Sequence, residues 1–86
     1  MKSIKIDIKQ MHTIKQGQYL AFIYYYVKIN KVSPSKSDIA TYFEIASSTV
    51  HGMIKELKAK QLIKSEAGKA RSIQLMICRD ELPDLE

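Results

Sequence analysis

Residues 47 to 63 read SSTVHGMIKELKAKQLI, and Val50, Met53, Ile54 and Leu57 recur there at the three- and four-residue spacing of one buried helix face. Gly52 interrupts that helix. A glycine in a helix interior costs about 1 kcal/mol relative to alanine. Three explanations stand side by side: the helix tolerates a defect, the glycine relieves crowding against a neighbouring helix, or it leaves the backbone open to close approach from outside. At about 3.6 residues per turn, Ser48, Gly52, Lys55 and Ala59 fall opposite the apolar face, with His51 on one shoulder and Thr49 and Glu56 on the other. A face with no bulky side chain at its centre suits a helix lying deep in a groove about 12 Å wide, the width of the DNA major groove.

The elements around this helix follow from local chemistry. Upstream, Thr13 and Gln16 form a capping-box pair, which starts a helix at about Ile14 and carries it to about Ile29. Tyr19, Leu20, Phe22, Ile23 and Val27 supply its core face, while Tyr24, Tyr25, Tyr26 and Ile29 make it apolar nearly all round. NKVSP (30 to 34) is a loop, because proline lacks a donor and disfavours helix at the residue before it. Ser35 and Asp38 are a second capping pair, opening a short helix from about Lys36 to Phe43 with Ile39, Ala40 and Phe43 inward. After EIA, Ser47 or Ser48 is expected to cap the third helix, which ends near Lys60.

Downstream the period changes. LIKSE (62 to 66) and RSIQLMI (71 to 77) read as short strands enclosing AGKA, where Gly68 supplies a positive φ and closes a hairpin carrying Lys64, Lys69 and Arg71. At the amino end, Ile4, Ile6 and Ile8 alternate with Lys5, Asp7 and Lys9, the pattern of a half-buried strand. The expected organisation is an arm over residues 1–12, a domain over 13–78 and an acidic tail, RDELPDLE (79–86), that frays. Helix, helix, tight turn, helix, hairpin is the order of a winged helix-turn-helix. The fold class is therefore α+β, mainly α. Such modules serve nucleic-acid binding and, less often, protein–protein adaptation, so fold alone does not settle function.

Charge narrows the partners. Residues 1–78 hold 13 basic and 5 acidic side chains, a net +8, while four acids crowd the last seven residues. The excess suits a polyanion, or is an ordinary solvated surface. The apolar run YLAFIYYYV (19 to 27) is about half of what spans a bilayer, so no membrane segment is expected. The opening residues lack the apolar core of a signal peptide, which points to the cytoplasm and, for a DNA-binding chain, the nucleoid. His12, His51 and Cys78 match no metal-ligand spacing, and there is no phosphate-cradling glycine loop. We expect no cofactor, no small-molecule ligand and no enzymatic activity. Cys78, in the run IQLMIC, reads as a small core or edge-strand residue.

SPSKSDIATYFEIASSTVHGMIKELKAKQLIKSEAGKARSIQL (33 to 75) resembles the amino-terminal DNA-binding domain of the LexA repressor family. The likeness lies in the Pro-Ser entry to helix two, DIA within it, SSTVH followed by GMIKEL in helix three, and the KQLI…GKARSI wing, and it extends over about residues 13 to 77. The resemblance implies a sequence-specific transcriptional repressor that binds double-stranded DNA. By position it makes Ser47, Ser48, Thr49, His51 and Lys55 base-reading or groove-positioning residues, with Gly52 at the point of close approach. It makes Ser35, Lys36, Lys69 and Arg71 phosphate contacts, and Lys64 joins them from the hairpin. The family's self-cleaving domain, with its Ser-Lys dyad, has no counterpart in these residues, so self-cleavage is not expected; Ala67-Gly68 is turn chemistry. Because a single winged helix reads only a few base pairs, a homodimer is expected, through Tyr25, Tyr26 and Ile29 or through Ile4, Ile6 and Ile8. Residues 3–9 folding back over their own helix is the alternative. A protein-binding adaptor with an incidental basic face is the competing function.

Overall fold

A computed structural model describes residues 13–77, 80 and 82–85 of the chain. Their layout is α+β and mainly helical: α1 (Ile14–Asn30), α2 (Lys36–Phe43), α3 (Ser47–Ala59), then β1 (Ile63–Lys64) and β2 (Gln74–Leu75). The strand expected over residues 3–9, with Ile4, Ile6 and Ile8, lies outside the described residues, as does Cys78.

Both capping boxes are present. Thr13 Oγ1 accepts from the Gln16 amide at 3.0 Å while Gln16 Oε1 accepts from the Thr13 amide at 3.1 Å. Ser35 and Asp38 repeat the exchange at 3.0 Å in each direction. Helix α3 departs from expectation: its N-cap is Ala46, which offers no side-chain bond, and Ser47 and Ser48 are already helical. The cause is the preceding turn. Glu44 adopts a left-handed φ of 56° and Ile45 N donates to Ala40 O at 3.0 Å, so the chain reverses within residues 44–46 and α3 begins at once.

The core joins Leu20 and Ile23 of α1, Ile39 of α2, Val50, Met53, Ile54 and Leu57 of α3, and Leu62, Ile63 and Ile73 of the hairpin. Aromatic edges close it: Tyr19 meets Phe43 edge-on at 4.6 Å and Phe22 stacks on Tyr42 at 4.5 Å. Burial also raises the Tyr19 phenol above its ordinary range, since the charged form is penalised there. Val27, assigned to the core face from periodicity, is instead 38% exposed. Helix α1 has 17 residues and α2 only 8, so the last turns of α1 run beyond what α2 and α3 can cover.

The hairpin is antiparallel, pairing Ile63 with Leu75 and Lys64 with Gln74, and its strands are shorter than the alternation suggested. Between them the chain makes a side-chain-supported tip. Ser72 Oγ accepts from the Glu66 amide at 2.9 Å and donates to Lys69 O at 2.9 Å, while Gly68 and Arg71 take φ of 75° and 58°. Those bonds replace ladder rungs. The acidic tail, expected to fray, is anchored where it is described: Leu82 and Leu85 pack on the core, and Gln18 Nε2 donates to Asp84 O at 2.9 Å. No helix among the described residues is long and apolar enough to cross a membrane.

Candidate nucleic-acid interface

Helix α3 buries Val50, Met53, Ile54 and Leu57 and leaves Ser47, Ser48, Thr49, His51, Gly52 and Lys55 exposed on its other side. A Cβ built on Gly52 would meet nothing within 4 Å. Gly52 therefore relieves no crowding against a neighbouring helix, which leaves a tolerated defect or a backbone open to close approach. The alanine cap adds to this openness, because no side chain occupies the first-turn amides of α3 and that positive end faces outward beside three hydroxyls.

Between α3 and the wing lies a groove of about 430 Å³. Its walls bring together Ser35 and Lys36 from the start of α2, His51, Lys55 and Lys58 from α3, and Lys69 and Arg71 from the wing. Among the described residues that line it, five cations face the single carboxylate of Glu66, and with Arg71 offset by Asp38 the groove keeps a net positive charge. Glu66 lies 3.9 Å from Lys69, but both are well exposed, so their pairing is weak. Lys64 sits exposed on β1, outside the groove.

Two of the predicted contacts meet directly. Lys36 Nζ lies 3.5 Å from His51 Nδ1, across the junction of α2 and α3. When the ammonium donates to Nδ1, the neutral imidazole keeps its proton on Nε2 and offers a donor outward. Ser35, also predicted as a phosphate contact, spends its hydroxyl oxygen on the α2 cap.

Arg71 stands differently from the free phosphate contact expected of it. Its Nη1 lies 3.0 Å from Asp38 Oδ2, 3.0 Å from Ser33 O and 3.2 Å from Tyr26 Oη. The Asp38 carboxyl is held below the usual carboxylate range, first by the Ser35 amide, then by the Tyr26 and Ser35 hydroxyls and by Arg71. The Tyr26 hydroxyl and the Asp38 charge in turn raise the Arg71 guanidinium further. This cluster ties the wing to α1 and α2. Tyr26 is accordingly a latch residue more than a free dimer face, while Ile29 is 75% exposed and Tyr25 lies edge-on to Tyr24 at 5.0 Å.

Sequence reasoning overlooked the latch and did not single out Lys58, although its three-residue offset from Lys55 already put both on one helix edge. It also missed the brace behind α3. Buried Gln16 donates from Nε2 to Glu56 Oε1 and accepts from Lys60 Nζ at Oε1, both at 2.8 Å, fixing the end of α3 to the start of α1. No family model and no curated protein matches the chain.

Proposed function

We propose that this protein is a sequence-specific double-stranded-DNA-binding transcription regulator, a small repressor of LexA-like type acting on the nucleoid without enzymatic activity. The observation that carries the reading is the open strip of α3 centred on Gly52, flanked by the cationic groove it shares with the wing. The helix enters the major groove with Thr49, His51 and Lys55 toward base edges, while the amides and hydroxyls at Ser47 and Ser48 position it on a phosphate. Lys36, Lys58 and Lys69 neutralise the flanking backbone, Lys64 extends the contact from β1, and Arg71 sets the angle of the wing. A protein-binding adaptor with an incidental basic face is the second reading, and it differs in lacking steep salt-dependent retention on duplex DNA.

Selection of bound duplexes from a random pool, followed by titration at several salt concentrations, tests the proposal. A defined consensus and an affinity falling steeply with salt are expected. Equal, salt-insensitive retention of all duplexes overturns it. Two-fold pairing of subunits on a palindromic site belongs to the same proposal, with the exposed end of α1 around Ile29 as its contact; a single chain bound to single half-sites removes that part.

A further inference from the structure

A second groove, of about 590 Å³, opens between the last turns of α1 and the outer side of β2. Its floor is apolar, formed by Ile23, Val27, Val32 and Leu75, and Lys28 and Lys31 stand on its rim, Lys28 with its ammonium 5.8 Å from the centre of the Tyr24 ring, with no carboxylate among the described residues that line it. Val27 and Val32 are 38% and 49% exposed, more than the burial pattern of the rest of the core face predicts. Of the residues lining the cationic groove, this one shares only Ile73, and no residue of α3 reaches it.

The backbone supplies a second feature. Lys64 pairs with Gln74, and Met76 N donates to Leu62 O at 2.8 Å, so residues 74 and 76 turn their backbone groups toward β1. Leu75 N–H and C=O consequently face away from it. Ser33 Oγ donates to Ile73 O at 2.6 Å and serves the same edge one alternation earlier. No described residue bonds to the outward groups of Leu75.

We infer that this groove docks an extended acidic–apolar segment of a partner protein, which adds a strand at Leu75. Main-chain bonds to Leu75 supply the backbone register. Alternate apolar side chains of the segment fill the floor between Val27 and Val32, and the carboxylates between them meet Lys28 and Lys31. The chain's own residues 3–9 are a poorer match in charge, carrying Lys5 and Lys9 against one Asp7. On the DNA-binding reading proposed above, on which this step rests, the groove lies apart from α3 and so the partner and DNA bind together. The chain thus recruits a second protein to the site it reads.

Two labelled heptapeptides, one alternating valine with glutamate and one alternating valine with lysine, test this on the full chain by fluorescence anisotropy and amide shift mapping. The glutamate peptide binds and moves the amides of Leu75 and Val32, and the lysine peptide binds weaker by about tenfold or more. Val32→Asp abolishes that binding while duplex affinity stays within about twofold of the original, a readout that separates this inference from the DNA reading. If Val32→Asp impairs folding, Lys28→Glu with Lys31→Glu reverses the peptide preference and decides the matter. Binding of neither peptide, equal binding of both, or a glutamate peptide that moves α3 amides instead overturns the inference. So does uptake of the peptide only after Ile4→Asp with Ile6→Asp, which makes the chain's own amino-terminal segment the occupant. A dimer in sedimentation that Val32→Asp splits makes the occupant a second copy, and also overturns it.

Discussion

Arg71 of the wing and Asp38 of α2 lie 3.0 Å apart although 33 residues separate them in the chain, and the same guanidinium reaches Tyr26 of α1. One side chain therefore gathers the wing and two helices at the mouth of the cationic groove. We predict that Arg71→Met weakens binding to every duplex alike, because the wing loses its angle while α3 keeps its reading face. Arg71→Lys restores it in part, since all three acceptors surround the single nitrogen Nη1 and an ammonium brings three N–H groups to that point on a shorter arm. Footprints that shorten on the wing side, with an unchanged selected consensus, are the expected result.

The same latch sets a dependence on pH. Asp38 is held below its unfolded value, so its contribution is fully present above the ordinary carboxylate range near about 4 and is lost as pH falls through the lower folded value. Asp38→Asn is expected to lower the melting temperature at pH 7 and to flatten its fall between about pH 5 and pH 2. Ser35→Ala, which removes the other half of the cap, costs about 1 kcal/mol. Parallel acid melting curves for Asp38→Asn and the original chain would contradict the assignment.

Reading and holding separate by substitution. Lys55→Ala and His51→Ala each cost about 1 to 3 kcal/mol on the preferred site and change the selected sequence. Lys69→Ala and Lys58→Ala weaken all duplexes similarly and reduce the salt slope by about one each. Lys36→Ala resembles His51→Ala in part, because it frees the Nδ1 that Lys36 faces at 3.5 Å. An unchanged consensus in both the Lys55 and His51 variants would displace α3 from the major groove.

Gly52→Ala raises the stability of α3 by about 1 kcal/mol, since the added methyl group meets nothing within 4 Å. On DNA the same methyl group stands between helix and groove. A higher melting temperature with weaker duplex affinity is expected from calorimetry and anisotropy on one preparation. A higher melting temperature with unchanged affinity would place the groove elsewhere on the helix.

Local chemistry determined most of the fold. The capping boxes Thr13–Gln16 and Ser35–Asp38 span three residues each, so they act in any chain that turns helical there, and the structure begins α1 and α2 where they stand. The Val50–Leu57 face, the positive φ of Gly68 and the outward strip at Gly52 are equally short-range, which is why the buried and exposed faces of α3 were legible in the sequence. Periodicity failed where an outcome depends on what lies opposite. Val27 has the spacing of a core residue, but α2 is too short to reach it, and Leu82 and Leu85 of the acidic tail find a core that composition does not reveal. Ser47 and Ser48 are good caps by type, yet the reversal at Glu44 starts the helix at Ala46 before either can serve. The Arg71–Asp38–Tyr26 latch and the Gln16–Glu56–Lys60 brace join residues 33 to 45 positions apart. Such pairs form only after the apolar faces have packed and brought the polar ends within bonding distance, so tertiary structure alone decided which charges hold the molecule together and which stay outward for a partner.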